Sequence, residues 1–234
     1  MKNLPDLSRL KYSLDLPNGF SCLDVGANHG QFYVAFKNLF PNSRCLMIEA
    51  NPHCERRLRG LQSEYRIIGL SDHKGELELV STVLKPYSKG ASFYIEAAIR
   101  DLSENEILRT VVPVDTMDNL FKEDTFDFIK IDVQGSELDI LNGGEITIKK
   151  SKYVSLEISL VEYNIGAPGY KKILDKMLEF GFFIKDVIEE HKTSSGNLIQ
   201  LDLLFTNTIK DHVYDCLTPY KNYLDYENWN RNYI

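Results

Sequence analysis

The stretch FSCLDVGANHGQFYVAFKNLF, residues 20–40, contains the first strand, loop and helix that we predict for this chain. Residues 20–25 form a short apolar run that is typical of a buried strand. Glycines at 26 and 30 then allow a tight turn. The apolar residues beyond the turn share one helical face: Phe32, Ala35, Phe36, Leu39 and Phe40. This stretch predicts a strand, a glycine loop and an amphipathic helix.

The same alternation continues along most of the chain. Further strands are predicted at 43–50, 65–70, 126–133 and 153–160. An amphipathic helix around Ile173 and Met177 is closed by Gly181, and GFFIKDVI and NLIQLDLLF form a terminal antiparallel pair. The pattern predicts an α/β fold with a doubly wound, Rossmann-like, mostly parallel sheet. Ligands of such sheets bind beyond the carboxyl ends of the strands.

Three local features add finer predictions. ELELV (76–80) alternates and follows a turn sequence at 72–75, which predicts a hairpin there. Ser136, with Asp139 three residues later, predicts a helix N-cap. The irregular stretch 81–110 is predicted to be an insertion or substrate lid.

Composition excludes several classes of protein. The 234 residues include 27 Lys plus Arg, 34 Asp plus Glu and 43% hydrophobic residues, giving a net charge of −7. These values predict one globular domain and argue against a nucleic-acid binder. The longest apolar run, residues 32–36, is too short to span a membrane, and the start lacks a secretory signal. We therefore expect a cytoplasmic protein.

The four cysteines are predicted to pack as small hydrophobic residues. Cys22, Cys45, Cys54 and Cys216 form no C-x-x-C pair and no metal-ligand spacing. A disulfide is not expected.

The glycine loop fits one nucleoside cofactor better than another. A dinucleotide fingerprint needs three glycines, but Asn28 and Gln31 occupy two of those positions, which weakens a nicotinamide site. S-adenosylmethionine has no phosphate. Asp24 can bind its ammonium group, Glu49 its ribose hydroxyls, and Ser71-Asp72 its adenine amino group. Together these positions predict an S-adenosylmethionine site.

Six successive blocks of the chain, between residues 20 and 206, resemble the FkbM family of class I S-adenosylmethionine-dependent methyltransferases. They are DVGANHGQF (24–32), EANP (49–52), GLSD (69–72), VPVDTMD (112–118), FIKIDVQGSE (128–137) and LDLLF (201–205). Ala50 stands where the family often has proline, and Gln134 stands where glutamate is frequent. The resemblance implies a seven-stranded sheet whose last strand is antiparallel. It also implies O-methylation, often of a sugar, glycolipid or polyketide.

The predicted cofactor contacts combine the loop chemistry with this resemblance. They are Asp24, Gly26, Ala27, Asn28, Gly30, Glu49, Ala50, Ser71, Asp72 and Asp132.

Catalysis of O-methylation requires aligning the acceptor hydroxyl and removing its proton. Asp132, at the end of a strand, is the first candidate for the general base, although it could instead bind the cofactor's ammonium group. Lys130 shares its strand face and could hold the carboxylate ionised, while Glu157 is the second candidate base. Glu137 could orient the loop after Asp132 or act as a first-turn helix carboxylate. His29 and His191 rank below the carboxylates.

No metal is predicted, because no second oxygen ligand directly follows Asp132. The acceptor, a small molecule or glycan, is expected to contact 81–109 and 162–170. Candidate stacking residues are Tyr87, Tyr94, Tyr163 and Trp229; Arg100 and Arg109 could meet an anionic group or lie on a solvated face.

The predicted organisation is an N-terminal extension (1–19), a methyltransferase domain (20–206) and an aromatic-rich C-terminal extension (207–234). The extension could cover the sheet edge or form a homodimer interface. The sequence leaves three functions open: an O-methyltransferase, a catalytically silent cofactor-binding or assembly protein, and, with less support, an NAD-dependent oxidoreductase.

Overall fold

The computed structural model describes residues 4–208, and the elements below are those of this part of the chain. The strands are β1 (Ser21–Val25), β2 (Arg44–Glu49), β3 (Tyr65–Ile67), β4 (Gly69–Leu70), β5 (Gly75–Thr82), β6 (Ile95–Glu96), β7 (Ile107–Asp115), β8 (Phe128–Ile131), β9 (Tyr153–Ser159), β10 (Asn164–Ile165), β11 (Phe183–Lys192) and β12 (Leu198–Thr206). The α-helices are α1 (Ser8–Ser13), α2 (Gln31–Leu39), α3 (Glu55–Arg59), α4 (Met117–Leu120), α5 (Glu137–Asn142), α6 (Glu145–Lys149) and α7 (Tyr170–Glu179).

The central sheet has seven strands in the order β3-β2-β1-β8-β9-β12-β11. Neighbouring strands from β3 to β9 run parallel, whereas β12 is antiparallel to both β9 and β11. The strand order reverses at β1, whose two neighbours in the sheet are β2 and β8. The predicted doubly wound, mostly parallel seven-stranded sheet with an antiparallel last strand is therefore confirmed.

The two faces of the sheet differ in chemistry because side chains alternate along each strand. The first face carries residues such as Leu23, Ile129 and Leu156, which form one apolar core with side chains of α4 to α7. On the second face, Cys22 and Phe128 pack with α1 and α2 near the amino ends of the strands. Two residues further along those strands, Asp24 and Lys130 make the same face charged.

The predicted hairpin is wrong in its partner. β5 pairs with β7 from Gly75↔Val114 to Thr82↔Ile107, and β7 lies between β4 and β5 in a separate three-stranded sheet. The run 65–70 also divides into β3 and β4, which belong to different sheets. Alternation identifies a strand, but its partner comes from residues at least 25 positions away.

Other local predictions have mixed outcomes. Ser136 does precede α5, but its hydroxyl forms no capping hydrogen bond, and Asp139 accepts one from Tyr94 at 3.1 Å instead. The helix closed by Gly181 is confirmed as α7. Cys22, Cys45 and Cys54 are buried and free, as predicted, while Cys216 lies outside the described residues.

The N-terminal segment packs onto the second face of the sheet. Leu7, Leu10 and Leu14 are buried there against Ile188 and Leu204. None of the helices between residues 4 and 208 has the length and apolarity needed to cross a membrane. Trp229 and the rest of the aromatic extension beyond residue 208 lie outside the described part of the chain.

Candidate active site

The loop after β1 lies directly against the loop after β8. Gly26 has a φ of +78°, and its N–H donates to the carbonyl of Ile48 at 3.0 Å. A Cβ atom at position 26 would lie 1.9 Å from the backbone oxygen of Asp132. Only glycine fits this contact, so the predicted turn is also the point where two strand ends meet.

Glu49, at the end of β2, holds the loops around it. Its Oε2 accepts the Asn28 N–H at 2.6 Å, and its Oε1 accepts the Asn51 N–H at 2.7 Å. Burial raises the pKa of Glu49, and these two hydrogen bonds offset part of that effect. Each oxygen keeps a second lone pair, so the carboxylate can still accept hydrogen bonds from ligand hydroxyls.

The first cavity lies beyond the carboxyl ends of β1 and β2. Gly26, Asn28 and Glu49 form one wall, and apolar side chains including Leu70 and Ile140 form the other. The free lone pairs of Glu49 and the loop at Gly26 and Asn28 suit the ribose and amino-acid ends of S-adenosylmethionine once the cavity is open.

Residues 86–93 cover this first cavity. The hydroxyl of Ser92 donates to the carbonyl of Gln134 at 2.6 Å, and the amide of Asn51 donates to the carbonyl of Pro86 at 2.7 Å. The covered volume is about 50 Å³, enough for one or two water molecules. This space is smaller than a nucleoside, so we infer that residues 86–93 move when one binds.

A buried lysine lies between two aspartates on the second face. Lys130 Nζ is 3.4 Å from Asp24 Oδ1 and 3.2 Å from Asp132 Oδ2. Burial raises the pKa of Asp24, whose side chain has no exposed surface. For Asp132, burial is outweighed by Lys130 and by a hydrogen bond from Gln134, so its pKa is lowered. The predicted pairing of Lys130 with Asp132 is present.

Glu157 lies further along the same face. Its Oε2 accepts hydrogen bonds from the amides of Gln134 and Gln200, the latter at 3.2 Å. Burial, together with Asp132 and Asp202, raises the pKa of Glu157 to about 10. Burial thus favours the neutral form of Glu157, whereas Lys130 favours the ionised form of Asp132.

The second cavity, of about 340 Å³, lies over this charged part of the second face. Its floor includes Lys130, Glu157 and Asp202, and Leu4 and Leu7 of the N-terminal segment contribute to its walls. The two cavities are adjacent, because the same five residues line both: Gly26, Asn28, Lys89, Asp132 and Gln134.

The structure brings only part of the predicted cofactor set to these cavities. Asp132, Gly26, Asn28, Glu49 and Ala50 line the first cavity, and Ala27 lines the second. Four predicted residues line neither cavity: Asp24, Gly30, Ser71 and Asp72. Asp24 lies beneath the loop beside Lys130, and Asp72 instead contacts His73 at 2.6 Å.

The acceptor residues expected from the sequence lie largely elsewhere. The Tyr94 hydroxyl donates to Asp139, the Tyr163 hydroxyl donates to Glu96, and Arg109 pairs with Glu78. Residues 162–170 contribute to a separate cavity of about 320 Å³. Of the stretch 81–109, Lys89 lines the second cavity.

Sequence reasoning missed several residues of the second cavity. Gln134, Glu189 and Asp202 line it, and His191, which ranked low in the sequence, lies beside Asp202. A usable signal was present: Gln200 and Asp202 alternate with leucines in a strand that otherwise reads as apolar. Polar residues at every second position indicate that one face of the strand is polar.

Glu137, at the start of α5, organises the loop after β8. Its carboxylate accepts N–H bonds from Val133 and Gly135 at 3.0–3.3 Å, which matches the orienting role considered from the sequence. Burial raises the pKa of Glu137 to about 7, against a usual value near 4.5.

We expect Glu137→Gln to remove a pH dependence of folding. Because the folded-state pKa is the higher one, the folded parent holds a proton that the unfolded chain loses between pH 4.5 and 7, so the parent loses stability as pH rises through this window. In urea denaturation, the difference in unfolding free energy between variant and parent should shift in favour of the variant by up to ~3 kcal/mol from pH 4.5 to pH 8. Glu145→Gln, on the exposed side of α6, is the control; equal pH shifts for both variants would contradict the prediction.

Comparisons with known proteins agree with this geometry. A family model described as the methyltransferase FkbM domain matches residues 24–184. NoeI, a 2-O-methyltransferase of Sinorhizobium fredii, is 27% identical over 174 residues, which cover 68% of this chain and 71% of NoeI.

Two solved structures share the fold. The crystal structure of a methyltransferase FkbM from Methylobacillus flagellatus has a TM-score of 0.51 at 14% identity, and the match covers 81% of this chain but only 44% of that longer chain. Magnesium protoporphyrin IX methyltransferase (ChlM) from Synechocystis, solved with S-adenosylmethionine bound, has a TM-score of 0.50 at 10% identity, covering 86% of this chain and 76% of that one.

The family match spans more than half of the chain and includes both the glycine loop and β8, which Asp132 follows. The seven-stranded sheet, the Gly26 contact and the Glu49 carboxylate give that match a physical basis. This chain belongs to the FkbM family of S-adenosylmethionine-dependent methyltransferases.

Proposed function

We propose that this chain is an O-methyltransferase that moves a methyl group from S-adenosylmethionine to a hydroxyl of a sugar, glycolipid or related metabolite. One observation carries the proposal: two cavities of different chemistry meet at the wall containing Gly26, Asn28 and Asp132. In this arrangement a methyl group bound at the shared wall would face a molecule in the second cavity.

The residues of the first cavity are suited to bind and orient the cofactor. When bound, S-adenosylmethionine supplies an electrophilic methyl group on a sulfonium. Glu49 is positioned for the ribose hydroxyls, and the loop at Gly26 and Asn28 for the amino-acid end. Asp132, kept ionised by Lys130, can bind the ammonium group or take the acceptor proton.

The second cavity supports a hydroxylated acceptor. Glu157, Gln134 and Asp202 offer donors and acceptors of hydrogen bonds, and Phe32 offers an apolar ring on which a sugar can lie. NoeI, by its name, transfers methyl to an oxygen, which supports the choice of a hydroxyl. Glu157 is the second candidate for the base.

Further parts of the proposal extend to the whole chain. We propose a methyltransferase domain at 20–206, with a cover within 81–110 and terminal extensions on either side, in a cytoplasmic protein whose aromatic extension could support a homodimer. The second candidate function is a catalytically silent cofactor-binding or assembly protein. Family membership favours either over a nicotinamide-dependent oxidoreductase.

We expect Glu49→Gln to weaken binding of S-adenosylhomocysteine by ~10- to 100-fold, because the loss of a charge-assisted hydrogen bond costs about 1.5–3 kcal/mol. Isothermal titration of the purified chain measures this change. Glu64→Gln, an exposed glutamate before β3, is the matched control. The proposed site is overturned if the parent binds no S-adenosylhomocysteine or if Glu49→Gln binds it equally well.

The same protein, given cofactor with a labelled methyl group, distinguishes the two candidate functions. Transfer of label to a member of a sugar and glycolipid panel supports the O-methyltransferase. Cofactor binding without transfer to any hydroxylated member supports the silent binding protein.

A further inference from the structure

Several ionisable side chains lie together on the floor of the second cavity, away from the first. Glu157 on β9 is in direct register with Asp202 on β12, which is in register with Glu189 on β11. His191, two residues after Glu189, points to the same face and reaches back toward Asp202. All four line the cavity.

The local charges are incompletely balanced. Carboxyl groups directly opposite one another across strands repel when both are ionised. The nearby ammonium group of Lys130 already contacts Asp24 and Asp132. His191 Nε2 is 3.7 Å from Asp202 Oδ1 and 4.0 Å from Glu157 Oε1, too far for a hydrogen bond to either.

Two of these polar atoms have no partner within residues 4–208. His191 Nε2 and Asp202 Oδ1 are fully buried as atoms and make no hydrogen bond, although about 30% of each side chain is exposed (32% and 29%). The two atoms lie within ion-pair distance of each other, but burying polar atoms without a hydrogen bond is costly, and an ion bound between them would relieve that cost. Water could fill such a gap only by accepting or donating to both atoms at once.

The distances suit a metal ion. One ligand atom from each of Glu157, His191 and Asp202 lies within 4.8 Å of the other two. An ion bound ~2.1 Å from each ligand holds neighbouring ligand atoms ~3–4 Å apart, which small side-chain rotations here would achieve. We propose that Glu157, His191 and Asp202 bind one divalent first-row transition-metal ion on the floor of the second cavity.

The ligand set favours ions such as Mn²⁺ or Zn²⁺ over Mg²⁺, because imidazole nitrogen binds these more readily and the two carboxylates suit all three. Asp132, the residue from which the sequence predicted no metal, is not part of this set. With three protein ligands, the ion keeps open positions that face the cavity. These would bind oxygen atoms of a hydroxylated acceptor; this use of the site rests on the proposed function, whereas ion binding itself does not.

The test uses the full chain after chelator treatment. Titration with Mn²⁺, followed by the electron paramagnetic resonance signal of the free ion, should show one ion bound per chain, and calorimetry should show the same for Zn²⁺. His191→Ala and Asp202→Asn should each weaken binding by at least ~10-fold. Glu190→Gln, on the opposite face of β11 beside His191, should leave it unchanged.

Binding of S-adenosylhomocysteine by each variant shows that it is folded and keeps the two proposals separate. Loss of Mn²⁺ binding with retained S-adenosylhomocysteine binding supports the metal site. The site is overturned if the parent binds neither Mn²⁺ nor Zn²⁺ saturably in the millimolar range, or if both ligand variants bind as the parent does. Failure of S-adenosylhomocysteine binding in the parent would instead count against the proposed function.

Discussion

Gly26→Ala is expected to weaken S-adenosylhomocysteine binding by at least ~100-fold, equivalent to about 2.7 kcal/mol or more. The new Cβ would lie 1.9 Å from the Asp132 carbonyl oxygen, so the loops after β1 and β8 must separate. That movement displaces Asn28 and Asp132, which lie in the wall shared by the two cavities. Isothermal titration measures the affinity, and urea denaturation should show destabilisation of ~2–4 kcal/mol from the contact and the backbone strain together.

Gly166→Ala separates these two causes. Gly166 has the same φ of +78°, but nothing lies within 4 Å of the position its Cβ would take. This variant should show only the backbone strain, ~1–2 kcal/mol, and normal cofactor affinity. If Gly26→Ala matched Gly166→Ala in both measurements, the proposed role of the loop contact would be wrong.

Lys130→Met should have the largest effect on folding. Removing the buried ammonium group leaves Asp24 and Asp132 without a compensating charge, which typically costs ~3–5 kcal/mol. Without Lys130 the folded-state pKa of Asp24, already raised by burial, should rise further, and that of Asp132 should rise above its unfolded value. The destabilisation is then largest at pH 8 and shrinks as pH falls toward ~4, where the folded carboxyl groups are protonated and the unfolded ones begin to take up protons. Urea denaturation at pH 8 and pH 4.5 measures it.

Two further variants control this experiment. Lys149→Met breaks an exposed pair with Glu145 on α6 and should change stability by less than ~1 kcal/mol. Asp24→Asn combined with Lys130→Met removes one of the uncompensated charges and should restore part of the stability at pH 8. A loss for Lys130→Met that is equal at both pH values would show that packing, not charge, is responsible.

The sequence predicts the sheet well because its signals are local. The glycine loop, the apolar runs and the helical spacing each lie within about ten residues, and β1, β2, β8 and β9 form where these patterns predict them. The partner of β5 could not be predicted in this way. β7 is separated from β5 by an irregular stretch, and pairing across such a distance depends on tertiary packing that no local pattern reports.

Local patterns likewise predict one part of the candidate site, while the other part depends on strand pairing. Gly26, Asn28 and Glu49 are recognisable because they lie at or within three residues of a strand end at the predicted ligand edge. His191 and Asp202 come from the last two strands, and they reach Glu157 only because β12 inserts between β9 and β11. The family resemblance implied an antiparallel last strand, but neither its position between β9 and β11 nor the register that brings these side chains together. Whether Asp132 or Glu157 is the base stays a prediction.

The cover formed by residues 86–93 also has a kinetic consequence. Because its hydrogen bonds to Gln134 and Asn51 close the first cavity to about 50 Å³, any nucleoside must wait for these bonds to open before it enters or leaves. A spent cofactor would then dissociate at the opening rate of the cover, however fast the chemical step is.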